Sequence, residues 1–432
     1  MSVRISGKLT LCTTTELTKR QVGILTFLVL VICMSMFCGC KRRPSARPTV
    51  QMDAEPRFWI RVLLHDNIKT VRLRLDYPFS VINPQAQITQ VKFEQTGKPI
   101  NVEISSGTIN FAGWNLTTKE IIIAPETPNI FNINGDDYRG KLLLITSPDG
   151  NSLDAVNLVP LEAYLEGVVG TEMPSYWEPA ALEAQTIAAR TYGLYIKQRF
   201  GKNRHWDVSR TQANQAYNGV KAESAQVSKA VNKTSGMVLV CNHNGEDGIF
   251  PAYYSSTCGG HTENSKDMFG GDTFAPLAGV ECPYCKDVAK PGFFSWNQVQ
   301  YDKSEVKKRL LNRYPGLAKL GEIDKIIPIR QSDYNNFSRL TLIRLKGSTG
   351  KTDVLRAEDL RLAIDSTGLK LKSTIFKIID AGDKWVFDSG RGFGHGVGMC
   401  QYGAQAMAKQ GKNAGQILFY YYPGSKIESV YE

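Results

Sequence analysis

The sequence predicts an α+β protein, with a β-rich N-terminal region packed against a helix-containing region and followed by a β-containing C-terminal part. Three observations predict it. Short β-branched runs separated by turn signals fill the start of the globular part, one long stretch then changes to a helical period, and strand-like runs return after it. At 432 residues and 48.0 kDa the chain can bury a sizeable core. Its 42% apolar and 22% charged residues exclude a disordered tail.

The elements follow in order. Val22 to Cys40 carries no charge and is flanked by Lys19-Arg20 and Lys41-Arg42-Arg43. This predicts a signal, lipoprotein or membrane-anchor segment over 1–40, and either form brings the chain to a membrane. Phe37-Cys38-Gly39-Cys40 resembles a lipoprotein cleavage site, with Cys40 as the lipidated residue. Residues 41–57 are rich in proline and charge and read as a linker. Over 58–159 the runs WIRVLL, TVRLRL, AQITQVKFE, NVEIS, KEIIIA and GKLLLITS predict mostly antiparallel strands, with Ser147 to Asn151 as a turn. In the core of 160–290, Leu182, Thr186, Ala189, Tyr192 and Ile196 are spaced by three and four, and Pro179 suits a first helical turn. Strands are expected again at Met237 to Cys241 and Phe250 to Ser256. In the part 291–432, a helix is expected over Lys303 to Tyr314, then strands in IDKIIPIRQ and RLTLIRLKG, then a final helix around Ala404 to Gln410.

The net charge of +11 raises the question of nucleic acid. No stripe of Lys and Arg with interleaved aromatics is present, so no nucleic-acid partner is expected. Diffuse positive charge suits an anionic polymer, such as a cell wall, or a membrane surface.

Four ordered blocks carry more information. Val159 to Tyr195 reads VPLEAYLEGVVGTEMPSYWEPAALEAQTIAARTYGLY; QAYNG follows at Gln215, YYSSTCGGHTENS at Tyr253 and GRGFGHGVGMCQYGAQAMA at Gly390. Together with Tyr138-Arg139-Gly140 they resemble the stage II sporulation protein D family, which includes the amidase enhancers. The resemblance implies a peptidoglycan-acting domain over 58–432 with its catalytic core in 160–290. It also implies lytic transglycosylation, which cuts between N-acetylmuramic acid and N-acetylglucosamine and leaves a 1,6-anhydro ring. Hydrolytic glycosidases usually need two carboxylates. Here the attacking group is the C6 hydroxyl of the same sugar, so one carboxyl of raised pKa can act first as acid and then as base.

Glu172 of TEMP matches the family's catalytic glutamate, in the connection before the long helix, where Met173 and Trp177 could desolvate it. Read alone, it could equally be a solvated carboxylate near a helix start. Glu162, Glu166, Glu178 and Glu183 are nearby rivals. Gln185, Arg190 and Tyr192 match family positions as substrate contacts; Arg190 suits a carboxylate or sugar hydroxyls, or else an internal ion pair. His395, Gln401 and Tyr402 fall in the glycine-rich block, either as glycan contacts or as parts of a tight core loop. Cys400 stands where the family usually has serine.

Cys258 and His261 form CxxH, and Cys282 and Cys285 form CxxC. Four such ligands suit a closed, structural Zn²⁺ site. The alternative is a Cys282 to Cys285 disulfide with His261 elsewhere engaged. Two functions compete: a transglycosylase acting on peptidoglycan glycan strands, and a glycan-binding module that localises or stimulates a separate cell-wall amidase.

Overall fold

The computed structural model describes residues 58–431 apart from 86 and 87. The apolar segment, Cys40 and the linker lie outside the described residues. Among those described, no helix is long and apolar enough to cross a membrane.

The mixed α+β class holds, with the strands concentrated towards the N-terminus. A seven-stranded sheet runs in the order Val208–Ser209, Trp59–Ile68, Leu153–Pro160, Lys141–Thr146, Glu120–Pro125, Phe79–Asn83, Ile88–Phe93. A six-stranded sheet runs Asp136–Arg139, Ile130–Ile133, Thr70–Arg74, Ile100–Ser105, Thr108–Phe111, Trp114–Leu116. Every run predicted over 58–159 falls in one of these two sheets. Burial alternates along their strands, so Ile121 and Ile123, or Val71 and Leu73, face one shared core with the period of a pleated strand. Most strands that periodicity left out are short, such as Trp114–Leu116, and are defined by their partners rather than by composition; the exception is the eight-residue Leu153–Pro160, which pairs with both Trp59–Ile68 and Lys141–Thr146.

The helical stretch divides in two. Leu161–Glu172 forms one helix and Pro179–Phe200 the long second one, with Pro179 in its first turn as expected. Between them, Met173 caps the first helix in an extended conformation. The long helix is buried over most of its circumference, from Ala181 to Leu194. A helix buried on most sides is a central one: the first helix, the Met237–His243 strand and the C-terminal helices Gln401–Lys409 and Ala414–Tyr421 surround it.

The stretch 291–432 divides between two cores. Residues from Trp296 to Phe387 build a second hydrophobic cluster, from the long hairpin Ile323–Tyr334/Phe337–Gly347, the helices Lys303–Arg313 and Ala357–Ile364, and a sheet around Lys384–Arg391. The chain then returns to the first core from Val397 to Tyr422, through a short parallel pairing of Tyr254–Ser255 with Met399–Cys400.

Candidate active site and cysteine cluster

Glu172 is the last residue of the Leu161–Glu172 helix, not a residue at a helix start. The difference matters electrically, because a helix C-terminus carries partial negative charge and disfavours an anion. The carboxylate is part-buried. The Ala216 N–H donates to Oε1 at 3.0 Å, and the Gln401 amide donates to Oε2 at a longer 3.4 Å. Burial raises its pKa above the ordinary carboxylate value, and those two hydrogen bonds offset only part of the rise. Among the described residues no basic side chain forms an ion pair with it.

Three of the four rival glutamates are committed elsewhere. Glu162 takes a two-pronged bond from Arg190, at 2.8 and 2.6 Å, and one from the Tyr431 hydroxyl at 3.0 Å. Glu166 is buried and accepts from the Ser228 hydroxyl at 2.7 Å. Glu183 pairs with Lys233 at 2.7 Å. Glu178 is held through its backbone N–H, which donates to Gln405 Oε1 at 2.9 Å; Glu172, held by two neutral donors, is the carboxyl of the group set against Gln401 and Gln185.

Gln185 and Gln401 gather at Glu172. The Gln401 amide also approaches Gln185 Oε1 at 3.5 Å, and Gln185 Nε2 is buried with no hydrogen-bond partner. An orphaned buried donor costs about 1–3 kcal/mol, so it marks a place where a ligand acceptor would be welcome. Tyr192 is buried close enough for the charge of Glu172 to help raise its pKa, although burial is the larger cause.

The other expected contacts sit differently. Arg190 is fully buried and spent on Glu162 and the Met237 carbonyl, the internal ion pair rather than a free ligand for a sugar. Tyr402 packs edge-on against Trp177 and Phe293, at 4.8 and 5.8 Å between ring centres. The His395 Nδ1 accepts the Val397 N–H at 3.0 Å while the ring packs on Phe269 and Tyr253. Burial lowers its pKa to about 4, so it is neutral near pH 7, as in the core-loop alternative.

Two partners of the site had no assigned role in the sequence. Gln215 accepts from the Tyr164 hydroxyl at 3.0 Å and donates to the Tyr254 hydroxyl at 2.9 Å; Tyr254 is raised by burial first and by the charge of Glu172 second. Both lie in blocks that the resemblance had marked, QAYNG and YYSSTCGG. That marking was the only signal available for them.

Four buried cysteines, Cys258, Cys282, Cys285 and Cys400, bring their sulfurs within 4.8 Å of one another. Three of these were expected. The fourth is Cys400 and not His261, whose Nδ1 lies 2.6 Å from the Thr262 carbonyl and whose ring stacks on Tyr334 at 4.1 Å. The cysteines are free thiols, which replaces the Cys282 to Cys285 disulfide. The Cys258 N–H and Gly403 N–H donate to Cys400 Sγ at 3.3 and 3.4 Å. Cys258 and Cys285 sulfurs stand 3.8 Å apart. Sulfurs bound at about 2.3 Å around one tetrahedral ion are about 3.8 Å from each other, so the set fits a divalent, thiolate-preferring metal. Gly403 is required here, since a Cβ at this position would run into the Tyr421 hydroxyl and lie 2.9 Å from Cys282 Sγ.

The fold and site thus define a mixed α+β protein with a carboxyl of raised pKa in a polar, aromatic-lined setting, beside a buried cluster of four cysteines. A family model described as stage II sporulation protein matches residues 149–241, which include Glu172, and one described as a domain of unknown function matches 284–398, close to the bounds of the second core. Stage II sporulation protein D of Bacillus subtilis is 31% identical over 291 residues, 64% of this chain and 76% of that protein. An uncharacterised protein of Brachyspira hyodysenteriae is 31% identical over 305 residues, 70% of this chain and 75% of the relative. The amidase enhancer of Bacillus subtilis is 29% identical over 367 residues, 77% of this chain but only 50% of that protein, so the chain spans half its length. The chain belongs to the stage II sporulation protein D family.

Proposed function

We propose that this protein cleaves peptidoglycan glycan strands by lytic transglycosylation at the outer side of the cytoplasmic membrane, with Glu172 as the single acid/base. The observation that carries the reading is the state of Glu172: part-buried, at a helix C-terminus, held by two neutral donors and raised in pKa, while Glu162, Glu166 and Glu183 are engaged elsewhere. Protonated Glu172 donates to the glycosidic oxygen between N-acetylmuramic acid and N-acetylglucosamine, and the C1–O bond breaks with its electron pair going to the departing sugar. The resulting carboxylate then takes the proton of the muramic C6 hydroxyl as that oxygen bonds to C1, which restores the acid and closes the 1,6-anhydro ring. Gln185 Nε2, Gln401 and Tyr192 are the groups proposed to contact sugar hydroxyls.

The cysteine set is proposed to hold one structural Zn²⁺. Four protein ligands leave no open position for an activated water, so its role is to brace the Cys400–Gln401 turn beside Glu172. Tethering through the 1–40 segment or lipidated Cys40 belongs to the same proposal. The similarity to the amidase enhancer supports a second reading, a glycan-binding module that stimulates a cell-wall amidase. Incubation with intact and peptide-stripped glycan, followed by mass spectrometry, separates the two. Anhydro-muramic ends are expected; reducing ends would require an activated water and a second carboxylate, and intact but bound glycan would favour the binding module.

A further inference from the structure

A cavity of about 630 Å³ opens beside the cysteine cluster, between the Gly260–Lys286 region and the tip of the long hairpin from the second core. Its hairpin wall is fixed. The Ser332 and Tyr334 hydroxyls donate to the buried Glu263 carboxylate at 2.9 and 3.1 Å, and Glu263 in turn faces the fully buried Arg339 at 3.7 Å. The cavity is therefore formed before any ligand arrives, as small-molecule and sugar sites commonly are.

Its lining combines aromatic faces with two cations, Arg391 and Lys286, and two carboxylates, Asp333 and Glu281. The Arg391 guanidinium is held between Phe294 and Phe337, at 4.8 and 4.3 Å from the ring centres; Nε donates to the Gly259 carbonyl and Nη1 to the Asn336 side chain at 3.2 Å, which among the described residues leaves Nη2 free for a ligand. Two flanking rings orient the planar fork and strip water from it. Lys286 adds an exposed second cation. Among the described residues neither Arg391 nor Lys286 forms an ion pair. Two carboxylates also line the cavity: Asp333 is turned to Ser338 and Gln331, at 2.6 and 2.8 Å, and Glu281 is exposed. The stacked rings of His261 and Tyr334 supply an apolar face.

We infer that this cavity binds a carboxylate-bearing segment of an amino-sugar strand, with Arg391 and Lys286 on the carboxylate and the aromatic and asparagine side chains on the sugar. The inference rests on the peptidoglycan reading above, and gives the second core the task of holding the strand away from Glu172. The carboxylate has two possible sources, the lactyl group of a peptide-free muramic residue or the stem peptide.

The test measures equilibrium binding to the full chain carrying Glu172→Gln, so that the strand stays intact, using peptide-free muramic glycan, free stem peptide and a neutral chitooligosaccharide. Arg391→Gln and the surface change Lys286→Glu are each expected to weaken peptide-free glycan about tenfold, as loss of a charge-assisted contact does, and to leave chitooligosaccharide within about twofold. The same selective loss with stem peptide instead would keep the site and assign the other source. Unchanged affinity in both variants, or equal loss for charged and neutral sugars, would overturn the inference, as would an effect of Arg391→Gln confined to metal content. Cleavage by the parent chain, assayed in parallel, tests the transglycosylase reading separately: selective binding without cleavage sinks that reading and leaves the cavity's role standing.

Discussion

Cys400 and Gln401 are neighbours in the chain, yet they serve two polar sites of opposite character. Cys400 gives its sulfur to a closed, fully buried set of four thiols that also receives backbone N–H groups. Gln401 gives its amide to a carboxyl that has few partners and a raised pKa. One site is closed and buried, as the structural brace proposed for it should be. The other is left short of partners, as an acid that must lose and regain a proton should be. The short sheet pairing of Tyr254–Ser255 with Met399–Cys400 joins them, so rigidity in the first site is available to hold geometry in the second.

The comparison breaks most visibly through the metal. Purified protein is expected to carry about one Zn²⁺ per chain; Cys400→Ser and Cys285→Ser should lose it and melt markedly lower, because metal binding to such a set is folding free energy. His261→Ala should keep the metal, and elemental analysis with thermal melts decides between the two ligand sets. Next in size is Arg190→Ala. Removing one partner of a buried pair leaves Glu162 uncompensated and should cost about 3–5 kcal/mol in denaturant unfolding, while glycan binding by the folded fraction stays as it was.

His395 supplies a pH dependence. Its folded pKa of about 4 lies below the ordinary value of 6.5, so the unfolded chain binds its proton first. Stability from this group is full above the unfolded value and is lost as pH falls through the folded one, about 1–3 kcal/mol over that window. His395→Asn should flatten this part of a stability–pH curve. Glu172 has the opposite sign: with its folded pKa raised, its contribution is full below the unfolded value and is lost as pH rises through the folded one. Glu172→Gln should therefore be at least as stable as the parent near neutral pH, with the difference vanishing on acidification.

The sequence reading reached far where local rules govern and stopped where tertiary contacts do. Alternating runs such as KEIIIA and GKLLLITS became paired strands because a half-buried sheet imposes a period of two. The break after Glu172 was less legible, since one apolar helical period runs on both sides of it and only Met173-Pro174 marks the change. Three of four cluster cysteines were found from close spacing. Cys400 was not, because it approaches only after the second core has been inserted between it and Cys285; its one trace was a cysteine standing where the family usually has serine. Arg190 was ambiguous in sequence for a physical reason: the planar fork that suits a sugar carboxylate suits Glu162 equally well.

The central claim is that Glu172 moves the proton in both halves of the reaction, and the pH profile and product analysis of Glu172→Gln test it most directly. The substitution keeps size and hydrogen-bonding capacity, so glycan binding should persist while cleavage falls by about 10²- to 10⁴-fold. The parent's activity should fade as pH rises past the raised pKa of Glu172, and its products should end in 1,6-anhydro-muramic acid. A variant that cuts as fast as the parent, with the same pH profile, would contradict the account.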